Sequence, residues 1–183
     1  MASTIFSSVD YELVIKKSRF IACIQPVADR ASAQAVVQQL WAQHPDATHI
    51  CWALLAGGQS AAVDDGEPSG TAGRPMLEVL RHHDLEGVLA TVVRYFGGVK
   101  LGAGGLVRAY TDAVAQALQR AEKVPLRRLC TQQCAVPYAL EGWMRRQLEQ
   151  SAAVLLAVEH QTQVKMQWQI AEDAMQSLAA RIN

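Results

Sequence analysis

Two charged, glycine-rich segments contain the residues best suited to chemistry. The acidic segment, residues 64–75, reads DDGEPSGTAGRP, and the glycine segment, residues 94–105, reads RYFGGVKLGAGG. Glycine and proline interrupt helices and strands, so we predict that both segments are loops between ordered elements. Loops of this kind leave backbone amides open to a ligand. We therefore expect folding to bring the two segments together as one exposed pocket.

The acidic segment has three carboxylates within four residues, an arrangement that could hold magnesium or calcium. Its spacing does not match a calcium-binding loop, and Asp-Gly and Glu-Pro favour tight turns whose carboxylates accept amide hydrogen bonds. The turn is the favoured interpretation. A third interpretation pairs the carboxylates with Arg74 or Arg94 and so joins the two segments. The residues that we assign here are Asp64, Asp65, Glu67, Thr71 and Arg74.

The glycine segment combines cations with glycines between a strand and a helix. Free amides and the positive end of a helix attract anions, so a phosphate group is the natural ligand. Neither the dinucleotide fingerprint nor the P-loop fingerprint occurs, and the glycines could instead permit tight turns and close packing. The predicted phosphate-binding residues are Arg94, Gly97, Gly98, Lys100, Gly102, Gly104, Gly105 and Arg108.

Aromatic and basic side chains near these segments could contact nucleic acid. Tyr95 or Phe96 could stack on a base, although aromatic residues at a strand end often belong to the core. Lys17 and Arg19 lie in the sequence KKSR, which could contact RNA or form a solvated strand edge. No complete catalytic group of residues is present. We assign no catalytic residue, no metal ligand and no cofactor.

Composition limits the function classes. The 183 residues contain 17 basic and 17 acidic side chains, so broad non-specific nucleic-acid binding is not indicated. The four cysteines lack the spacing of a zinc or redox site and are expected to be reduced thiols. The sequence shows no signal peptide and no stretch long enough to span a bilayer. We expect a cytoplasmic protein without a membrane partner.

Hydrophobic periodicity predicts the elements that position the two segments. In the first part of the chain we predict strands at 11–15, 20–24, 49–56 and 87–95, and helices at 29–43, 75–83 and 106–123. After Pro125 the pattern restarts with strands at 129–136, 153–158 and 161–170, and helices at 138–150 and 172–182. This β-α-β-β-α order is that of a ferredoxin-like unit without its closing strand. The prediction is an α+β protein with two domains, residues 1–124 and 125–183.

Four separated motifs resemble the YigZ/IMPACT family. Besides the two segments, they are KKSRFIA (residues 16–22) and HPDATHICWA (residues 44–53), and the most specific stretch is VVRYFGGVKLG (residues 92–102). The resemblance implies a first domain similar to the second domain of ribosomal protein S5. It also implies a second domain similar to the ferredoxin-like domains of elongation factor G. Family members usually close this second sheet with a final strand, whereas this sequence ends at Asn183 after a predicted helix. The unpaired sheet edge leaves two alternatives open, a truncated chain or an edge that another subunit covers.

The resemblance implies association with RNA, ribosomes or translation factors, and eukaryotic relatives are translational regulators. We therefore predict a non-enzymatic binding protein in translation regulation. The alternative is a nucleotide- or phosphate-binding enzyme in which the acidic segment holds magnesium. It rests on the likeness of the S5-type fold to small-molecule kinases. The oligomeric state is left open.

Overall fold

The computed structural model describes residues 2–182, which divide into two compact units at the junction between Leu126 and Arg127. Both units combine helices with antiparallel sheets, which confirms the predicted α+β class. No helix among the described residues is both long enough and apolar enough to cross a membrane.

The first unit is built on a five-stranded antiparallel sheet. Its elements are β1 (Ser3–Ile5), β2 (Val9–Ile15), β3 (Ser18–Pro26), α1 (Arg30–Gln43), β4 (His49–Ala56), β5 (Gln59–Val63), α2 (Gly73–His82), β6 (Val88–Tyr95), α3 (Gly102–Gln119) and β7 (Lys123–Pro125). The strand order is β2-β3-β6-β4-β5, and β1 pairs separately with β7. The central strand, β6, ends at Tyr95, and its last two residues are the first two of the glycine segment.

Helices cover both faces of the sheet. Successive residues of β4 alternate between two clusters, so that Cys51 and Ala53 pack in the core with α2 and α3, whereas Trp52 and Leu54 pack in the core with α1. Because both faces of β6 are covered, seven of its eight residues are buried. The side chains predicted to face inward from α3 are all buried, namely Leu106, Ala109, Tyr110, Ala113, Ala117 and Leu118.

The hairpin between β2 and β3 closes with a turn of only two residues. Ile15 pairs with Ser18, and the intervening Lys16 and Lys17 have φ angles of 47° and 66°. Both angles are positive, as a type I′ turn requires, although this conformation is uncommon for residues other than glycine. The turn presents two exposed lysines at the tip of the hairpin.

The boundaries of the two segments differ from the prediction. Helix α3 begins at Gly102 rather than Leu106, and α2 begins at Gly73, so the prediction that both segments are entirely loop is wrong at their ends. Arg94 and Tyr95 belong to β6. The run GAGG carries no hydrophobic pattern, so the helical first turn left no periodic signal. The short strands β1, β5 and β7 were not predicted.

The second unit is a three-stranded sheet covered on one face by two helices. It contains β8 (Leu129–Val136), a 3₁₀ turn (Tyr138–Leu140), α4 (Glu141–Gln150), β9 (Val154–His160), β10 (Val164–Ala171) and α5 (Glu172–Ile182). The strand order is β8-β10-β9, with antiparallel pairing throughout. Alternate side chains of β10 are buried against α4 and α5: Val164, Met166, Trp168 and Ile170. Thr162, predicted on the same side, precedes the strand and is exposed.

Candidate functional site

The two segments meet at a cavity of about 370 Å³ in the first unit. We call it the intersegment cavity. It is lined by Thr48, His49, Gly66, Glu67, Pro68, Arg94, Phe96, Lys100, Leu101, Gly102, Ala103 and Leu106. The lining combines an acidic turn, the end of the central strand and the first turn of α3.

The Asp64 side chain forms hydrogen bonds with the backbone of its own segment. Its carboxylate accepts hydrogen bonds from the amides of Gly70, Ala72 and Gly73, at 2.8, 3.1 and 2.8 Å. Burial opposes ionisation of this carboxyl group, but the three amides outweigh it and hold its pKa below the ordinary value. The charge of Asp64 therefore stabilises the turn that leads into α2.

Asp65 and Thr71 also bond within the chain. The Asp65 carboxylate accepts the amide of Ile50 at 2.8 Å, and its carbonyl oxygen lies 2.7 Å from His49 Nδ1. The Thr71 hydroxyl donates to the Pro68 carbonyl oxygen at 2.6 Å. These contacts support the turn interpretation over a metal site. Among residues 2–182, no three His, Cys, Asp or Glu side chains cluster so as to hold a metal ion.

A buried ion pair joins the two segments. The Arg94 guanidinium donates to Glu67 Oε1, and the Tyr110 hydroxyl donates to the same oxygen at 2.7 Å. Only 5% of Arg94 and 7% of Glu67 are exposed. Burial, with the neighbouring Cys51 and Glu67, raises the pKa of Tyr110, so this residue acts as a hydrogen-bond donor. Arg94, predicted as a phosphate ligand, is thus held by Glu67, and its Nε has no partner within the described chain.

His49 connects this ion pair with the intersegment cavity. Because a carbonyl oxygen can only accept, Nδ1 beside Asp65 must carry the proton. The other ring nitrogen, Nε2, lies 3.8 Å from Glu67 Oε2. The sequence prediction did not include His49, whose partners lie 16 and 18 residues farther along the chain.

The glycine segment presents a cation and an aromatic ring to the cavity. Lys100 is exposed and forms no ion pair within residues 2–182. Phe96 is 48% exposed, and its ring centre lies 5.7 Å from the Arg94 guanidinium carbon. Helix α3 starts at Gly102 with no side-chain cap. Its first amides are therefore open to an anion.

Gly97 fixes the glycine segment against the β2–β3 hairpin. A Cβ atom at this position would lie 2.1 Å from the Lys17 carbonyl carbon, so only glycine fits. The Gly97 amide donates to Ser18 Oγ at 3.1 Å, and the Phe96 amide donates to Thr48 Oγ1 at 2.9 Å. These contacts place the hairpin turn formed by Lys16 and Lys17, which we call the lysine turn, beside the glycine segment.

The structure does not place every predicted site residue on the cavity wall. The Tyr95 hydroxyl forms a hydrogen bond of 2.7 Å with His44 Nδ1. Arg19 forms an ion pair with Glu12, and its guanidinium carbon lies 5.4 Å from the centre of the Tyr95 ring. Arg74 lines a different cavity between α2 and α3. The predicted residues absent from the described lining of the intersegment cavity are Lys17, Arg19, Asp64, Asp65, Thr71, Arg74, Tyr95, Gly97, Gly98, Gly104, Gly105 and Arg108.

The cysteines of the first unit are protonated at neutral pH. Burial, supplemented by Asp10, raises the pKa of Cys23 to about 12. Burial also raises the pKa of Cys51 to about 12, and its thiol donates to the Asp64 carbonyl oxygen at 2.9 Å. A thiol rather than a thiolate at both positions argues against nucleophilic catalysis there. All four cysteines are free of disulfides.

A family model and two relatives of known sequence all match this chain to the same protein family. Residues 16–118 match the Impact N-terminal domain. The IMPACT family member YvyE of Bacillus subtilis (strain 168) is 38% identical over 172 residues, which cover 92% of this chain and 79% of YvyE. YigZ of Escherichia coli (strain K12), another IMPACT family member, is 48% identical over 111 residues, covering 58% of this chain and 54% of YigZ.

A solved structure described as that of a hypothetical protein extends the match to the whole fold. It shares 33% identity with a TM-score of 0.77, and the alignment covers 100% of this chain and 92% of the other. The stretch VVRYFGGVKLG (residues 92–102), which carried the resemblance, includes the end of β6 and the cavity residues Arg94, Phe96 and Lys100. The resemblance predicted from the motifs is confirmed: the chain belongs to the IMPACT family.

Proposed function

We propose that this protein is a non-enzymatic RNA-binding module that acts in translation. One observation carries the proposal. The carboxylates of the acidic segment are bonded within the protein, whereas Lys100 and Phe96 are exposed and line the intersegment cavity together with the start of α3. The result is a local site for an anion next to an exposed aromatic ring.

Each part of the site has a role in recognising RNA. Lys100 and the first amides of α3 would bind a backbone phosphate. Phe96 would stack on an adjacent unpaired base, a contact that is worth about 1–3 kcal/mol in single-strand binding proteins. Glu67 would position Arg94 beneath that ring rather than release it to the ligand.

The lysine turn extends this basic surface. Lys16 and Lys17 are exposed at the hairpin tip, which packs on Gly97 next to Phe96. Three lysines give about three phosphate contacts, so binding should weaken with salt with a logarithmic slope of about −2 to −3. A modest slope agrees with the zero net charge of the chain.

The similarity to ribosomal protein S5 and elongation factor G domains, which the family resemblance implies, favours an RNA of the translation machinery. We therefore place the protein on a structured RNA with an unpaired loop. In that setting a base can leave its stack and reach Phe96.

The proposal is tested by fluorescence anisotropy with a labelled RNA stem-loop. The double variant Phe96→Ala, Lys100→Ala should bind about 10- to 100-fold more weakly than the parent protein, because it lacks one stacking and one phosphate contact. Lys165→Ala removes an exposed lysine of the second unit and serves as the matched control. Equal affinity of the double variant and the parent protein would contradict the proposal.

The alternative function is a nucleotide- or phosphate-binding enzyme that uses magnesium. The open amides of α3 fit a phosphate equally well, but the carboxylates of Asp64 and Asp65 are occupied by backbone amides. A thermal-shift screen of nucleoside triphosphates with and without magnesium separates the two functions. Stabilisation that requires magnesium would favour the enzyme, because a bound ligand raises the melting temperature according to its occupancy.

A further inference from the structure

A second cavity in the first unit lies between α2 and α3, apart from the residues of the proposed RNA site. Its volume is about 670 Å³, and residues of both helices line it, together with Gly70 of the acidic segment. Val107 is 39% exposed, and Arg74, Glu78 and His82 are exposed as well. The cavity is therefore an open groove, which we call the interhelix groove. Sites for small molecules enclose most of the ligand surface, so a groove this open is better suited to a protein segment.

The wall of the interhelix groove is apolar along its middle. Pro75 and Val79 lie one turn apart on α2, and Val107 and Ala115 lie two turns apart on α3. Residues at these spacings lie on the same face of a helix, so each helix contributes an apolar stripe to the groove. Two such stripes with a gap between them can receive the apolar face of a third helix.

One end of the interhelix groove carries an unpaired cation. Arg74 lies in the first turn of α2, is exposed and forms no ion pair within residues 2–182. Its charge at the positive end of the helix dipole does not stabilise α2. A guanidinium group can donate two parallel hydrogen bonds to a carboxylate. Arg74 is therefore suited to a carboxylate supplied by a partner.

The other end of the groove, at the last turn of α2, is also basic. His82 and His83 line it, and Lys123 Nζ lies 3.0 Å from His83 Nδ1. Because an ammonium group can only donate, His83 Nδ1 must accept this hydrogen bond. Burial and the charge of Lys123 lower the pKa of His83, so this ring is neutral and Lys123 supplies the positive charge. Along α2, Arg74 and His82 are about 12 Å apart.

The carboxylate in the groove wall does not cancel these two cations. Glu78 lies 3.4 Å from Arg81, so its charge is largely neutralised by a neighbour on the same helix. A nucleic-acid backbone would need cations all along the groove, whereas here they lie only at the ends of an apolar wall. The arrangement complements a segment that is apolar in the middle and acidic at two separated points.

We propose that the interhelix groove binds an amphipathic helix of another protein, with two acidic side chains beside its apolar stripe. The stripe would pack on Val79 and Val107, and one acidic side chain would pair with Arg74. The second would lie seven or eight residues away, about 11–12 Å along the helix, and would reach His82 and Lys123. The groove does not include Lys100 or Phe96, so this binding is a second function beside RNA binding.

A pair of synthetic helices tests the charge pattern. The first is a fluorescein-labelled, hydrocarbon-stapled peptide of about four turns, with leucines at i, i+3, i+4 and i+7 and two glutamates seven residues apart beside them. The second has lysines in place of the glutamates. Fluorescence anisotropy with the full chain should show that the glutamate peptide binds at least about tenfold more tightly than the lysine peptide. Equal affinities, or no saturable binding of the glutamate peptide up to about 1 mM, would overturn the proposal.

A charge reversal in the protein tests the cationic end. Arg74→Glu should weaken binding of the glutamate peptide at least about tenfold and narrow the difference between the two peptides. Arg30→Glu makes the same reversal at the exposed start of α1, outside the groove, and is the matched control. Equal loss in both variants would show that only net charge matters. Weaker binding of the labelled RNA stem-loop by Arg74→Glu, with peptide binding unchanged, would assign Arg74 to RNA. Either result would overturn the proposal.

A substitution in the apolar wall tests the location. Val107→Lys places a charge in the middle of the groove at a partly exposed position, so the chain should still fold and peptide affinity should fall at least about tenfold. Val14→Lys changes an exposed valine of β2 outside the groove and is the matched control, with circular dichroism confirming both folds. Unchanged affinity in Val107→Lys would overturn the proposal. Self-association of the parent chain that Val107→Lys abolishes would assign the groove to a second copy and overturn it as well.

Discussion

The acidic and glycine segments border the same cavity but use their charges in opposite ways. In the acidic segment, Asp64 and Asp65 bond to backbone amides, and Glu67 bonds to Arg94 and Tyr110. In the glycine segment, Lys100 is exposed and Phe96 is nearly half exposed. The first segment is a structural support, and the second is a surface that can contact a ligand.

This difference shows why net charge is a poor guide to the site. Equal numbers of acidic and basic side chains give zero charge for the whole chain. The buried Glu67 carboxylate is paired with Arg94, so their fields largely cancel outside the protein, whereas the exposed Lys100 can act directly on a nearby phosphate. Local pairing of charges therefore leaves an exposed lysine beside the cavity in a chain of zero net charge.

The largest effect is expected from breaking the ion pair between the segments. Glu67→Ala would leave the Arg94 charge buried and remove the acceptor of the Tyr110 hydroxyl, so the free energy of unfolding should fall by about 3–5 kcal/mol. Urea denaturation followed by circular dichroism measures the loss. Glu78→Ala removes an exposed glutamate 3.4 Å from Arg81 and should cost less than about 0.5 kcal/mol. Similar losses in the two variants would show that Glu67 is not a structural support.

A smaller effect is expected from two glycines of the same segment. Gly97→Ala would force a methyl group into the Lys17 backbone and should destabilise the protein by about 1–3 kcal/mol. Gly104→Ala has open space around it and lies in the first turn of α3, so it should be neutral or stabilising by up to about 1 kcal/mol. Thermal unfolding of both variants measures the contrast. Equal stability would mean that the segment does not need the close contact with the hairpin.

The smallest effect concerns the charge on Asp64 and depends on pH. The pKa of this group is lower in the folded protein than in the unfolded chain, so its contribution is present at neutral pH and is lost as the pH falls through the folded pKa. Asp64→Asn should therefore be less stable than the parent protein by about 1–2 kcal/mol at neutral pH.

The difference between Asp64→Asn and the parent protein should shrink as the pH falls below about 4, where the carboxyl group of the unfolded chain becomes protonated, and should disappear below the lower pKa of the folded state. Urea midpoints measured across this pH range follow the change. A difference that stays constant with pH would show that charge is not what Asp64 contributes.

Most of the fold could be predicted because its elements have strong periodic patterns. Helix α1 begins directly after the predicted N-terminal cap, Asp29, whose carboxylate accepts a hydrogen bond from the Ser32 amide at 2.8 Å. Strand β6 is a long apolar run, and α3 has a clear inward stripe. Strand β5 was missed because it has only five residues, QSAAV, and lacks a clear alternation of polar and large apolar side chains.

The site was less predictable because its contacts join distant residues. Arg94 ends an apolar run and looks like an exposed cation in the sequence. It is buried because β6 lies at the centre of the sheet, where Arg94 pairs with Phe20 on one side and His49 on the other. The pairing with Glu67 was one of three interpretations, and no local pattern favours it over the others.

The anchoring of the glycine segment has a consequence for how fast and how tightly the protein can bind. The amides of Phe96 and Gly97 donate hydrogen bonds to Thr48, which precedes β4, and to Ser18 at the start of β3, so the shape of the segment is set before any ligand arrives. Binding then needs little additional ordering of the backbone, and a loop that is already ordered loses less entropy on association. For the RNA binding proposed above, we expect rigid docking, with an association rate that depends on ionic strength rather than on a conformational change.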